Sequence, residues 1–331
     1  MRIPRPTPVA GDSVTFGPAY GRSMADKAFR IVRAGPGSRP VMLAIAGDSA
    51  AGKTTLTRGL VQALGPDNCV SICVDDYHRY DRAERRDLPF TALHPDCNHL
   101  DIMEQHLQLL ASGQPILKPV YDHSTGKLAR PERVEPNRYI IVEGLLPLHS
   151  KLSRACFDVT VFLDPPEEIR RGWKLARDTS ARGYSREQVL AELDRRTSES
   201  EAHIRPQRSH ADIVVRFAPI AVRDDPPGTP LSAELVLRPT IRHPDLGGVL
   251  ANHRTMHVKL CRDTDGRPVD TLHVHGYVPT EESRSLEKAM WALLDQPGDV
   301  PDGLGVLGAE QRSEPLAITQ LLLLFHMLDA A

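Results

Sequence analysis

The 331-residue chain is poor in aromatic residues (5%) and cysteine (five), and its formal net charge is only −2 at pH 7. Such a balance gives no electrostatic footprint for nucleic acid or an anionic membrane and leaves a small-molecule substrate as the better fit. Cys69, Cys73, Cys97, Cys156 and Cys261 contain no CxxC pair and leave an odd number, so neither a disulfide framework nor a zinc site is indicated and reduced, buried thiols are expected. Lysine is scarce as well, 8 against 33 arginines, a ratio better explained by coding bias than by a demand for bidentate phosphate contacts. There is no apolar run long enough to span a bilayer, and the opening MRIPRPTPVAGDS lacks the apolar core of a secretory signal. A cytoplasmic protein is therefore expected. The longest apolar stretch, Leu316 to Leu328, is interrupted by Thr319, Gln320 and His326 and reads as a buried terminal helix. With 40% hydrophobic residues the chain can fill a sizeable core, in two domains or one enlarged domain.

Residues 1–39 are rich in Pro and Gly without an apolar period, so a mobile arm is expected there. From residue 40 to 218, short β-type runs alternate with amphipathic stretches, the pattern of an α/β fold with a mostly parallel sheet covered by helices. The strand candidates are Val41–Ala46, Cys69–Val74, Tyr139–Val142, Asp158–Leu163 and Ala211–Phe217. Leu100, Met103, Leu107 and Leu110 recur at helical spacing, as do Ile169, Trp173 and Ala176, and both stripes read as core rather than site. The turn-rich segment from Arg223 to Pro230 marks a boundary. Beyond it, 219–331 forms a strand-plus-helix extension: strands at Leu235–Leu237, His257–Leu260 and Leu272–Tyr277, then helices from about Glu281 to Leu294 and from Pro315 to Leu328.

Residues 47–54 read Gly47-Asp48-Ser49-Ala50-Ala51-Gly52-Lys53-Thr54, a GxxxxGK[ST] phosphate loop set between an apolar strand and a helical pattern, the context such a motif requires. Backbone N–H groups of the loop form an anion nest, Lys53 reaches the β and γ phosphates of ATP, and the Thr54 hydroxyl faces Mg²⁺. For Thr55 a phosphate contact and simple helix-start packing are equally good readings. These features predict a P-loop kinase with ATP and Mg²⁺ as cofactors.

The second strand runs into Cys73-Val-Asp-Asp-Tyr-His-Arg-Tyr-Asp-Arg82 at the carboxyl edge of the sheet, where α/β proteins bind ligands. An alcohol acceptor needs a base, and Asp75 at the strand end is the candidate, with Asp76 the structural runner-up. His78 and Arg82 can reach an anionic substrate if the loop folds over the cleft; the competing reading is a solvated loop with surface ion pairs. Glu143 ends another apolar strand at the same edge and suits Mg²⁺ or its water. Glu167–Gly183 reads as one helix on which Lys174, Asp178 and Arg182 fall within about 80° of one another, Arg177 lying about 60° beyond Lys174. Alone, that ridge is more often an exposed face.

The motifs GDSAAGKTT, VDDYHRYDR, KPVYDHSTG, VEGLLP, WKLARDTSARGYS and HIRPQRSHADIVV, in this order and spacing from about Val41 to Phe217, resemble the phosphoribulokinase branch of the phosphoribulokinase and uridine kinase family. The resemblance implies a kinase that phosphorylates the 1-hydroxyl of ribulose 5-phosphate. It implies Asp75 as the base and Lys53 as the phosphate-loop lysine. Asp178 would share a metal and catalytic role with Glu143, and Thr54 would complete the metal site. His78, Arg82, Tyr121, His123, Lys174, Arg177 and Arg182 would handle the sugar phosphate. The extension resembles, more weakly, the tail of dimeric members, which implies a homodimer. Two departures stand out. In thioredoxin-regulated members a P-loop cysteine pairs with one at the Cys73 position, and here that P-loop position is Ala51; the tail also lacks the family's cysteine pair. The histidine that usually follows EGL is Leu146. Uridine kinases are the nearest alternative, but the histidine they carry five residues after the loop tyrosine is here Gly126. A kinase for another sugar phosphate, or a non-catalytic nucleotide-binding regulator, are further alternatives; a regulator would be expected to lose Lys53, Asp75 or Asp178.

Overall fold

Val41–Gly47 is buried at every position, as a strand with covered faces on both sides must be. It is β1, the middle strand of the parallel part of the sheet. The computed structural model describes residues 39–220, 223, 228–251, 253, 255–294, 298–308 and 311–331; the expected arm lies, but for Arg39, outside them, as does part of the turn-rich boundary segment. The strands are β1, β2 (Cys69–Cys73), β3 (Ile116–Asp122), β4 (Lys127–Val134), β5 (Tyr139–Gly144), β6 (Val159–Leu163), β7 (Ile213–Ala218), β8 (Ser232–Leu237), β9 (Met256–Arg262) and β10 (Pro268–Val274). Eight of them form one sheet in the order β2-β5-β1-β6-β7-β8-β10-β9, and β3 and β4 form a separate hairpin. The first five in that order are parallel, whereas β8, β10 and β9 join antiparallel.

The helices are α1 (Lys53–Leu64), α2 (Leu100–Ala111), α3 (Lys151–Arg154), α4 (Glu167–Ala181), α5 (Arg186–Glu199), α6 (Gly247–Leu250), α7 (Thr280–Ala292) and α8 (Glu314–Asp329). The stripe Met103, Leu107 and Leu110 on α2 closes over Met42, Ile72, Ile140 and Val142 in one core cluster. All five strands expected before residue 218, the three beyond it and both terminal helices are present, with ends shifted by a few residues. The hairpin and α5 were not expected. β4 is exposed along nearly its whole length and so carries no apolar alternation, and α5 buries only Val189 and Leu193.

α8 is the expected buried terminal helix, and the three polar residues that interrupt it are buried too. Each finds a partner, as buried polar groups must. Thr319 donates to the carbonyl of Pro315 at 2.7 Å. His326 meets His243 at 3.2 Å. Gln320 donates to the carbonyls of Thr55 (3.3 Å) and Leu56 (3.2 Å) on α1 and accepts from the N–H of Gly305 (2.7 Å). The last helix is thus bonded to the first turn of the helix that follows the phosphate loop.

Candidate active site

β1 delivers the chain to the carboxyl edge of the sheet, where it turns over 48–52 into α1. Gly47 has no space for a side chain, since a Cβ would sit 2.8 Å from the carbonyl oxygen of Leu163. Gly52 has φ 98° and Ala50 φ 64°; a non-glycine residue in the left-handed region is strain held at a functional turn. The Lys53 ammonium donates to the carbonyls of Gly47 (3.0 Å) and Asp48 (2.9 Å). Thr54 donates to Glu143 Oε1 at 2.9 Å. Their oxygens form the hard donor set that magnesium prefers, so these two residues fit the ion. Burial pushes the Glu143 carboxyl upward, against Lys53 and the Thr54 hydrogen bond.

A cleft of about 1920 Å³ opens in front of the loop and is lined by Ser49, Ala50, Ala51, Gly52, Lys53, Thr54 and Thr55. Gly47 and Asp48 lie behind it. The Asp48 carboxylate accepts from the Ser49 N–H at 2.6 Å and from the Ser200 hydroxyl, and lies 3.5 Å from Arg170. It braces the loop from below.

Across the cleft, the tight turn Val74–Tyr77 after β2 sends two adjacent carboxylates in different directions. Asp76 accepts from the Tyr121 N–H at 2.9 Å and pairs with the buried Lys118, anchoring the β3–β4 hairpin. Asp75 lines the cleft, 3.8 Å from His123 Nε2. Burial raises its carboxyl, but His78, His123, Lys53 and Arg196 together outweigh this and hold it below its usual value. It is therefore ionised and able to accept a proton. The neighbouring Cys73 thiol is pushed well up by burial and by Asp75 and Glu143.

His78 is buried, and burial lowers it to about 4. Asn98 uses its amide NH₂ on the carbonyls of Ala92 (3.1 Å) and His94 (2.9 Å), so its Oδ1 is what meets His78 Nδ1 at 2.7 Å. Nδ1 therefore carries the proton and Nε2 is an acceptor. A neutral imidazole of this tautomer can take a hydrogen bond from a sugar hydroxyl but cannot clamp a phosphate, unlike the anion contact expected of it. Tyr121 packs edge-on against His78 at 4.9 Å and accepts from Arg85 at 2.5 Å.

The basic residues converge on the same cleft. Arg82 donates from Nη2 to the carbonyl of His123 at 2.6 Å and lies across Gly126: a Cβ there would meet Arg82 atoms at 2.7–2.9 Å, and Gly126 has φ +75°. On α4, Lys174 and Asp178 are buried. Asp178 Oδ2 meets Lys174 at 2.8 Å, while its Oδ1 meets Arg177 at 2.8 Å and Arg182 at 3.5 Å. One carboxylate gathers three cations and has both oxygens engaged by them, a different setting from the metal role expected for it. Burial would raise it, but Arg177 and Lys174 hold it low. Burial lowers Lys174 to about 8, with Arg196 adding to the effect.

Arg85 and Arg196 also line the cleft and were missed by sequence reasoning. Arg196 sits on the unexpected α5, whose capping box, Ser185 with Gln188, was the legible signal. Arg85 Nη1 and Arg177 Nη2 are enclosed donors without a hydrogen-bond partner.

Residues 42–222 match the model of the phosphoribulokinase / uridine kinase family. The chain is 39% identical over 204 residues to a phosphoribulokinase of Synechocystis sp., covering 62% of this chain and 61% of that one. It is 31% identical over 255 residues to the chloroplastic phosphoribulokinase of Chlamydomonas reinhardtii, covering 72% and 66%. A uridine kinase of Chloroflexus aurantiacus is 30% identical over 181 residues, covering 53% and 86%. The match thus spans about three-fifths of the Synechocystis relative. The solved phosphoribulokinase of Rhodobacter spheroides shares the fold, with TM-score 0.55, 17% identity, and coverage of 71% of this chain and 90% of that one.

Proposed function

Because the chain belongs to the phosphoribulokinase / uridine kinase family, we propose that it transfers the γ-phosphoryl group of ATP to the 1-hydroxyl of D-ribulose 5-phosphate, giving ribulose 1,5-bisphosphate. Asp75 takes the hydroxyl proton as the acceptor oxygen bonds to phosphorus and the bond to the ADP oxygen breaks. Lys53 exchanges the two loop carbonyls for phosphate oxygens. Thr54 and Glu143 would hold magnesium, which when bound would supply charge neutralisation at the phosphates. Arg82, Lys174, Arg177 and Arg182 hold the phosphate already on the acceptor, Asp178 positions the last three, and the Nε2 of neutral His78 accepts from a sugar hydroxyl. Tyr121 and His123 shape the wall between them.

The observation that carries the acceptor assignment is Arg82 lying over Gly126. Where the uridine kinase pattern would place a nucleoside-binding histidine, any side chain collides with a guanidinium, so the cleft is furnished for an anionic sugar. The test is coupled ATP consumption with ribulose 5-phosphate, other pentose phosphates and uridine, in the wild type and in Arg82→Ala. Ribulose 5-phosphate should be the best acceptor. The substitution should raise its KM about 10- to 150-fold, the value of a charge-assisted contact, and leave the KM for ATP nearly unchanged. Faster turnover of uridine than of any sugar phosphate would overturn the assignment.

A further inference from the structure

Cys73, Asp75 and His123 are remote from any metal-binding spacing in the sequence, yet the hairpin and the turn after β2 bring them together. One ligand atom of each lies within 4.8 Å of the other two, and all three line the cleft. We propose that these residues bind a soft divalent cation of the zinc class and that the bound cation shuts the acceptor side of the site. The competition with the acceptor rests on the placement of Asp75 proposed above.

The donors are a sulfur, an imidazole nitrogen and a carboxylate oxygen. That mixture suits zinc and its analogues and is the wrong set for magnesium, which takes oxygen. Around zinc, with Zn–S about 2.3 Å and Zn–N about 2.0 Å, tetrahedral ligand atoms stand roughly 3.3–3.8 Å apart. Closure by about an ångström is needed. His123, whose side chain is 43% exposed, lies in the turn of the β3–β4 hairpin and can supply it. Its Nε2 already lies 3.8 Å from the Asp75 carboxylate. On binding, the Cys73 S–H proton passes to solvent as the sulfur–metal bond forms, with no change of oxidation state. The fourth position stays open to water. An Asp75 oxygen committed to the cation, with His123 drawn in over it, is closed to the acceptor hydroxyl, so cation and acceptor exclude each other and inhibition should be competitive with the sugar phosphate and not with ATP.

Cobalt(II) and cadmium(II) titrations of the full chain without substrates read the site directly, because a thiolate ligand gives a sulfur-to-metal charge-transfer band. The wild type should show one saturable band. Cys73→Ser should abolish it, and His123→Ala should weaken binding at least about 10-fold, since even an outer-shell partner of a ligand is worth that much; Cys261→Ser should leave it intact. In the coupled assay zinc should raise the acceptor KM of the wild type but not of Cys73→Ser, whose metal-free activity should match the wild type. Absence of the band, or its survival in Cys73→Ser, overturns the site. A band that Cys73→Ser removes without any zinc inhibition upholds the site and instead overturns the placement of Asp75 at the acceptor hydroxyl.

Discussion

Asp75 and Asp76 are adjacent, identical in chemistry and opposite in duty, because the tight turn that carries them points one at the cleft and the other at Lys118 and the Tyr121 N–H. Residue type alone could not separate them; strand position could, and it favoured Asp75. Lys174 shows the same dependence on surroundings. As a lysine it should stay charged to about pH 10.4, but burial and Arg196 lower it to about 8, and it must be protonated to hold a phosphate. It is charged below that value and neutral above it. The acceptor KM should therefore rise as pH passes about 8, while the KM for ATP stays level. In Lys174→Arg, whose guanidinium does not deprotonate in this range, the rise should disappear. An acceptor KM that is flat to about pH 9.5 in the wild type would remove Lys174 from phosphate binding.

Among the elements, most of those built on a buried apolar face were legible and most of those held by polar contacts were not; α4 is the exception, a helix expected from a stripe read as core, which instead buries Arg170, Lys174 and Asp178 while Ala176 is exposed and Trp173 lines the cleft. β1, β5 and α8 announce themselves by composition. The β3–β4 hairpin is instead pinned by Asp76, Lys118 and the passage of Arg82 over Gly126, links between residues some 40 positions apart that no local pattern records. For the same reason the phosphate loop and Asp75 were readable while Arg85, Arg196 and the tautomer of His78 were not. The contact between α1 and α8 belongs to this hidden class and makes a prediction. Gly59→Ala would help an isolated helix by roughly 0.8–1 kcal/mol. Here, however, the new Cβ would sit 2.1 Å from Gln320 Nε2, and Gln320 is fully buried and bonded on three sides. Moving it breaks hydrogen bonds worth about 1 kcal/mol each, so Gly59→Ala should lower the unfolding midpoint. Gln320→Ala in the same chain should recover most of the added loss. A stabilised Gly59→Ala variant would show that the two helices do not press together here.

At the scale of the whole molecule, the strands after residue 218 extend the parallel sheet, and α8 ties that extension to the start of α1 through side chains that had to be buried with their polarity intact. His326 is the costliest of these to acidify. His243 donates from Nε2 to the carbonyl of Arg238 at 2.7 Å, which leaves its Nδ1 to accept from His326 Nε2 at 3.2 Å. His326 Nε2 therefore carries a proton, and burial, with His243 adding to it, lowers the group to about 3 from the usual 6.5, so it is neutral at pH 7. The unfolded chain takes up this proton near pH 6.5 and the folded chain only near 3, so the unfolded state binds more protons throughout that window. Stability must then rise with pH between about 3 and 6.5 and be undiminished by this group above it. His326→Gln cannot titrate, so it should cost stability at pH 7 but lose less on acidification, and its urea midpoint should approach or pass that of the wild type near pH 4. If the two midpoints instead fall in parallel, the acid sensitivity of the fold resides in groups other than this buried histidine.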